Sequence, residues 1–236
     1  MLIDTHVHLN ADQFKDTIDE VIERALNEGV EKMIVIGFDK PTNLKAIELA
    51  ENYDFIYATV GYHPTEAINI KEEDFELLKK QLTHKKVVGI GECGLDLYWD
   101  KDHLTEQINI FTKQIELSKA FDLPIIIHMR DASKAMIETL QKHAPLKGIM
   151  HCYSGSAEMV DDFVDLGLHI SLGGPVTFKN GHKPKAVAKV VPLDKMLVET
   201  DSPYLSPHPY RGKTNEPARV KLVAEAIAEI KSMTFD

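Results

Sequence analysis

The chain has only two cysteines, one tryptophan and no excess of positive charge among its 236 residues. Cys93 and Cys152 lack the spacing of a metal finger and fit a reduced, cytoplasmic thiol pool better than a disulfide framework. No apolar run approaches the ~20 residues that a membrane span needs, so no membrane-embedded role is expected. Met1-Leu2-Ile3-Asp4 already reads as a strand, which leaves no room for a signal peptide and makes the cytoplasm the expected location. The net charge of −10 argues against a broad electrostatic grip on duplex nucleic acid. Internal repeats, Gly/Ser linkers and low-complexity tracts are also missing. So is a Gly-rich phosphate loop after an early strand, which a doubly wound nucleotide-binding fold would require.

What is present is an alternation of strand and helix. Strand-like runs fall at 2–5, 32–37, 55–60, 87–91, 124–127, 148–150, 169–172 and 196–200; they are short, aliphatic or β-branched, and punctuated by Gly or Pro, as buried parallel strands are. Ile18, Val21, Ile22, Ala25 and Leu26 follow a helical face, with Gly29 as its stop. Val220, Val223, Ala224, Ile227 and Ala228 repeat that spacing after Pro217 at a helix start. Further helices are predicted at 44–52, 75–82, 106–120, 133–143, 157–166 and 185–190. The acidic runs Glu72-Glu73-Asp74 and Asp161-Asp162 are expected to face solvent. Eight strands alternating with eight helices, with no break in composition, predict an α/β fold, a single (β/α)8 TIM-type barrel over 1–236.

Six residues of metal-binding type close these apolar runs: His6, His8, Glu92, His128, His151 and Asp201. A period of two sends His6 and His8 to the same side of an extended chain. His-x-His alone is a weak motif, but in a parallel barrel all six strand ends meet at one rim. Cys93 and Cys152 each directly follow one of the six, and strand alternation is expected to turn both away. His84, His103, His143, His169 and His182 are assigned no role.

Paired His on strand 1, Glu on strand 4, His on strands 5 and 6 and Asp on strand 8 is the ligand order of the amidohydrolase superfamily. Within it the chain resembles the TatD family of metal-dependent deoxyribonucleases. The resemblance rests on Ile3-Asp4-Thr5-His6-Val7-His8, Gly61-Tyr62-His63-Pro64, Gly89-Ile90-Gly91-Glu92-Cys93-Gly94-Leu95-Asp96, Pro124-Ile125-Ile126-Ile127-His128-Met129-Arg130, His151-Cys152-Tyr153-Ser154-Gly155, Glu199-Thr200-Asp201-Ser202-Pro203-Tyr204-Leu205, Arg211-Gly212-Lys213 and Asn215-Glu216-Pro217. It covers nearly the whole chain. Members usually continue past the equivalent of Asp236 into a short helix, which this chain is expected to lack.

The resemblance implies two divalent ions, with His6, His8 and Asp201 on one, His128 and His151 on the other, and Glu92 bridging them. Mixed nitrogen and oxygen donors suit Zn2+ or Mn2+, whereas Mg2+ prefers more oxygen. A glutamate at this point sets the chain apart from relatives that use a carbamylated lysine. Asp201 is either the general base for water or a ligand only. Glu199 shares its parity and either holds the imidazole of a ligating histidine or is a buried carboxylate paired with a cation. The resemblance gives His63 a contact with the scissile phosphate or water; the alternative is a turn-capping histidine. Arg130 either clamps a phosphate or pairs with a rim carboxylate. Arg211 and Lys213, with His208 nearby, form either a phosphate cradle or a solvated loop. Tyr98 and Trp99 either stack on a base of single-stranded nucleic acid or pack within their own loop.

The function expected is hydrolysis of DNA phosphodiester bonds by two-metal activation of water. A barrel mouth admits a strand end more easily than duplex, and the family resemblance implies 3′-to-5′ digestion. The expected partner is therefore DNA, held at single-stranded ends over a few nucleotides, with no obligate protein partner. The alternative is hydrolysis of another ester or amide, such as a lactone or a deacylation substrate, on the same metals. A metal-stabilised binding module is disfavoured, because structural metal sites are closed by their ligands.

Overall fold

A computed structural model describes residues 1–235. Eight parallel strands form one sheet in sequential order: β1 (Leu2–Val7), β2 (Val30–Ile36), β3 (Ile56–Val60), β4 (Val87–Asp96), β5 (Ile125–Arg130), β6 (Gly148–Met150), β7 (Leu168–Leu172) and β8 (Met196–Val198). Between them run α1 (Ile18–Asn27), α2 (Lys40–Asn52), α3 (Glu72–Leu82), α4 (Leu104–Ala120), α5 (Ser133–Gln141), α6 (Val160–Asp165) and α7 (His182–Val190), and α8 (Val220–Ile230) follows β8. This is the (β/α)8 TIM barrel, with its core between strands and helices.

The ends of the sheet meet through a few specific bonds. The His8 N–H donates to Ser202 O (2.8 Å) and the Asp201 N–H to His6 O (3.0 Å). Thr5 Oγ1 donates to Val198 O at 2.9 Å. Buried Asp4 completes the seam, accepting from Thr200 Oγ1 (2.5 Å), the Thr200 N–H (3.0 Å) and the His6 N–H (3.3 Å).

Helices form where the spacing places apolar residues on one face. In α1 that face buries Val21, Ile22 and Ala25, while Leu26 at its edge stays exposed. Gly29, at φ +85°, ends the helix in a conformation that costs a glycine little. The predicted 157–166 helix begins instead as a 3-10 turn over Ala157–Met159 before α6.

Two expectations need correction. Asp74 does not face solvent: it is buried, accepts the Lys71 N–H at 2.8 Å to cap α3, and pairs with Lys40 Nζ at 2.6 Å. Strands β4 and β5 also run past Glu92 and His128, because polar residues that face the barrel mouth can stay in the ladder. β4 shifts register between Ile90 and Cys93, and its glycines permit a close approach to β5. At Gly94 (φ +146°) a Cβ would lie 2.0 Å from His128 O.

Candidate metal centre

The six predicted donors converge at the C-terminal ends of the strands. Glu92 Oε1 lies 2.8 Å from both His128 Nδ1 and His151 Nε2. Its Oε2 lies 3.5 Å from His6 Nε2 and 3.7 Å from His8 Nε2. Asp201 Oδ1 approaches the same two nitrogens, at 3.3 Å from His8 and 3.7 Å from His6. Asp201 follows β8 at φ +54°, a left-handed conformation that aspartate tolerates better than most residues.

These separations fit a cation. Donors about 2.0–2.2 Å from a shared tetrahedral centre stand roughly 3.3–3.6 Å apart. His6 Nε2 and His8 Nε2 are 3.3 Å apart, as are His128 Nδ1 and His151 Nε2. Imidazole nitrogens this close, facing buried carboxylates, suit a positive charge between them. Burial alone would raise the Glu92 carboxyl, but His151, His128 and His6 hold it well below the usual carboxylate range. It is therefore an anion with one oxygen toward each histidine pair. The donors form overlapping groups, among them His6, His8 and Glu92, and His63, Glu92 and His128.

His63 takes the turn-capping role, and its other ring nitrogen faces the donor cluster. It caps the turn after β3, its Nδ1 accepting the Thr65 N–H at 3.3 Å, while Nε2 stands 3.7 Å from Glu92 Oε1. Burial, then the neighbouring His128, lowers its pKa to about 3. A neutral ring accepting at Nδ1 keeps its proton on Nε2, facing the cluster.

A supporting layer holds these rings. His128 Nε2 donates to Asp96 Oδ2 at 2.9 Å, which turns the Nδ1 lone pair toward Glu92. Glu199 is wholly buried, with its Oε1 3.4 Å from His151 Nδ1. It forms a compact group with His6 and His151, whose rings stack at 3.9 Å. Neither Glu199 oxygen nor the Nδ1 atoms of His6 and His151 have an aligned hydrogen bond, so the carboxylate is poised beneath both rings. Asp4 lies one step further out, where burial pushes its carboxyl up to about 8 against the pull of its bonds from Thr200 and His6.

Asp96 and Asp4 escape a sequence search for donors because each acts through another residue, Asp96 on the far nitrogen of His128 and Asp4 on the backbone of His6 and Thr200. The available signal is parity: Asp4 lies two residues before His6 and Asp96 four after Glu92. Asn215 was likewise seen only as a motif; its side chain donates to Thr200 O and Tyr204 O and so holds the segment around Asp201.

The basic residues are placed differently. Arg130 stacks on Tyr98, 3.8 Å from the ring centroid, and no rim carboxylate pairs with it among the described residues. Arg211 and Lys213 stay exposed and outside the donor cluster. They line a recess of about 470 Å3 with Phe178, Pro203 and Leu205. The Arg211 guanidinium lies 4.1 Å from the Phe178 ring centroid. Exposed His208 only donates its N–H to Thr177 Oγ1.

Cys93 is buried away in the core, as expected. Cys152 belongs to none of the donor groups among the described residues. It follows the end of β6 at φ +37°, where strand alternation no longer applies. A Cβ built on Gly173 lies 3.6 Å from Glu199 Cγ and 3.9 Å from Cys152 Sγ, which makes the thiol a neighbour of Glu199. Burial, then Glu199 and Asp201, pushes that thiol well above its usual range.

No helix among the described residues is long and apolar enough to cross a membrane. A family model described as TatD related DNase matches residues 3–236. Bacillus subtilis YabD, described as an uncharacterized metal-dependent hydrolase, is 52% identical over the whole chain and 93% of its own length. Escherichia coli YcfH, described in the same words, is 34% identical over the whole chain and 90% of its own length. Among solved structures, the TatD homologue YjjV of Escherichia coli aligns with a TM-score of 0.94 at 32% identity, covering the whole chain and 92% of that protein.

Proposed function

We propose, from the premise that the chain belongs to the TatD family of metal-dependent hydrolases, that it hydrolyses DNA phosphodiester bonds, working 3′ to 5′ from single-stranded ends. The observation that carries this reading is the division of Glu92, with Oε1 on the His128–His151 pair and Oε2 toward His6 and His8. Such a carboxylate suits two cations sharing one reaction centre.

In this reading His6, His8 and Asp201 would hold one divalent ion, His128 and His151 would hold the other, and Glu92 would serve both. Bound there, the ions supply positive charge that acidifies water and offsets charge on a phosphate oxygen. Asp201, with one oxygen 3.3 Å from His8 Nε2, takes the proton of the attacking water. Neutral His63 presents its Nε2–H to the phosphate or the water. Asp96 and Glu199 keep the imidazoles oriented through their far nitrogens.

Substrate charge is met at the rim. Arg130 stands on one side of the mouth, and Arg211 and Lys213 stand beside the recess after β8. A few cations at a pocket suit an enzyme that holds a strand end, and they accord with a chain whose overall charge is −10. The preference for a 3′ end is carried by the family resemblance.

The test is digestion of single-stranded and duplex DNA by the wild-type protein and by Glu92→Ala, each with and without EDTA. Metal-dependent release of mononucleotides, faster from single strands and reduced more than about 100-fold in the variant, is expected. Folded, metal-loaded protein that leaves DNA intact but opens a lactone or cleaves an N-acyl compound would overturn the nuclease reading.

A further inference from the structure

Beside the donor cluster, the β4–α4 connection carries an aromatic shelf. The rings of Tyr98 and Trp99 meet edge to face, with centroids 4.9 Å apart and planes at 88°. Arg130 covers part of this pair, its guanidinium 3.8 Å from the Tyr98 centroid and 5.5 Å from that of Trp99. Even so, Tyr98 remains 50% and Trp99 67% exposed, so packing within the loop leaves aromatic surface open.

The shelf is firmly built. Asp96 Oδ1 accepts the N–H groups of Tyr98 and Trp99, both at 2.8 Å, while its Oδ2 accepts from His128 Nε2 at 2.9 Å. Gln107 of α4 accepts the Asp96 N–H (2.9 Å) and donates to Asp96 O (3.1 Å) and Asp100 O (2.9 Å). The Leu97 N–H donates to Arg130 O at 2.9 Å, joining the shelf to β5. One carboxylate thus positions both a ring of the donor cluster and an exposed aromatic surface. Such preorganisation lowers the entropic cost of binding.

We infer that Tyr98 and Trp99 form a nucleobase-stacking subsite, with Arg130 meeting the phosphate next to the stacked base. This rests on the nuclease reading and deepens it. A base at a duplex end is held in place by its pairing partner, whereas an unpaired terminal base is free to turn and lay its face on an aromatic ring. The shelf therefore supplies a physical reason for choosing single strands. Arg130 can hold its aromatic contact and still direct N–H groups at a phosphate, since its planar fork does both.

Trp99 is the only tryptophan in the chain, so its fluorescence reports on this place alone. The metal-loaded protein is titrated with a cleavage-resistant, phosphorothioate-linked single-stranded oligodeoxynucleotide, and with the same oligonucleotide lacking its terminal bases. Cleavage of the ordinary-linkage forms is then compared for wild type, Trp99→Leu and Tyr98→Leu. The expected result is saturable quenching of Trp99 by the intact strand, at least fivefold weaker binding of the abasic one, and a rise in KM of about tenfold in each variant with kcat little changed. Cleavage that ignores the missing bases and leaves Trp99 unquenched would overturn the subsite while the nuclease reading stands. Base-dependent quenching without cleavage of any strand would uphold the stacking site and overturn the nuclease reading. Neither quenching nor cleavage would overturn both.

Discussion

Asp96 divides its carboxylate between two tasks, one oxygen fixing His128 and the other the turn at Tyr98 and Trp99. Burial would raise its pKa, but His128 and the two N–H groups hold it below the usual carboxylate range, so it acts as an anion. Asp96→Asn keeps the shape and loses the charge that favours a donating Nε2 on His128. We expect metal affinity to fall about 10- to 100-fold with the fold intact, as measured by competition with a chelator. An unchanged affinity would remove Asp96 from the support of the site. At this scale the six residues that converge at the strand ends were legible because their types are uncommon at the ends of apolar runs. Their supports were less so: Asp4 and Asp96 carry only parity as a signal.

Among the elements, β4 bears the largest demand. It carries Glu92 in mid-strand and lies so close to β5 that a side chain at Gly94 would meet the His128 carbonyl. Gly94→Ala is expected to destabilise the protein by at least about 2 kcal/mol, since it combines overpacking with an unfavourable positive φ. Denaturant unfolding would show it; a change within about 0.5 kcal/mol would mean that β4 and β5 can move apart freely. Helix α3 offers a test by pH. Although burial opposes it, Lys40 and the Lys71 N–H lower the Asp74 carboxyl below its ordinary 3.8. A depressed folded pKa stabilises above the unfolded value and is lost as pH falls through the folded value. Asp74→Asn should therefore lower the unfolding midpoint at pH 7, and the gap to wild type should close below about pH 4. A gap independent of pH would contradict the ion pair. Asp74 was misjudged as a solvent-facing charge because the run Glu72-Glu73-Asp74 conceals a cap whose partner, Lys40, lies on another helix.

For the whole molecule, alternation of short apolar runs with amphipathic segments was enough to read the barrel. Boundaries were harder, because polar residues at the mouth remain in the ladder and look like strand ends in sequence. The seam between β1 and β8 was not legible at all, since it depends on Asp4 and Thr200, nearly the full length of the chain apart. Charge is also a property of this scale. The acidic molecule should repel DNA except near its rim, so cleavage by wild type should weaken steeply with added salt. Replacing Arg211 and Lys213 together by Ala should raise KM for single-stranded DNA and flatten the log–log salt slope by roughly 0.7 per lost phosphate contact, with metal content unchanged. An unaltered slope would exclude both from the substrate path.

The most direct measurement is anomalous X-ray diffraction from crystals loaded with Mn2+ or Zn2+, collected at the metal's absorption edge. Two peaks about 3.5–4 Å apart should flank the Glu92 carboxylate, one beside His6, His8 and Asp201 and the other beside His128 and His151. A single peak, or metal held elsewhere with Glu92 free, would contradict the account.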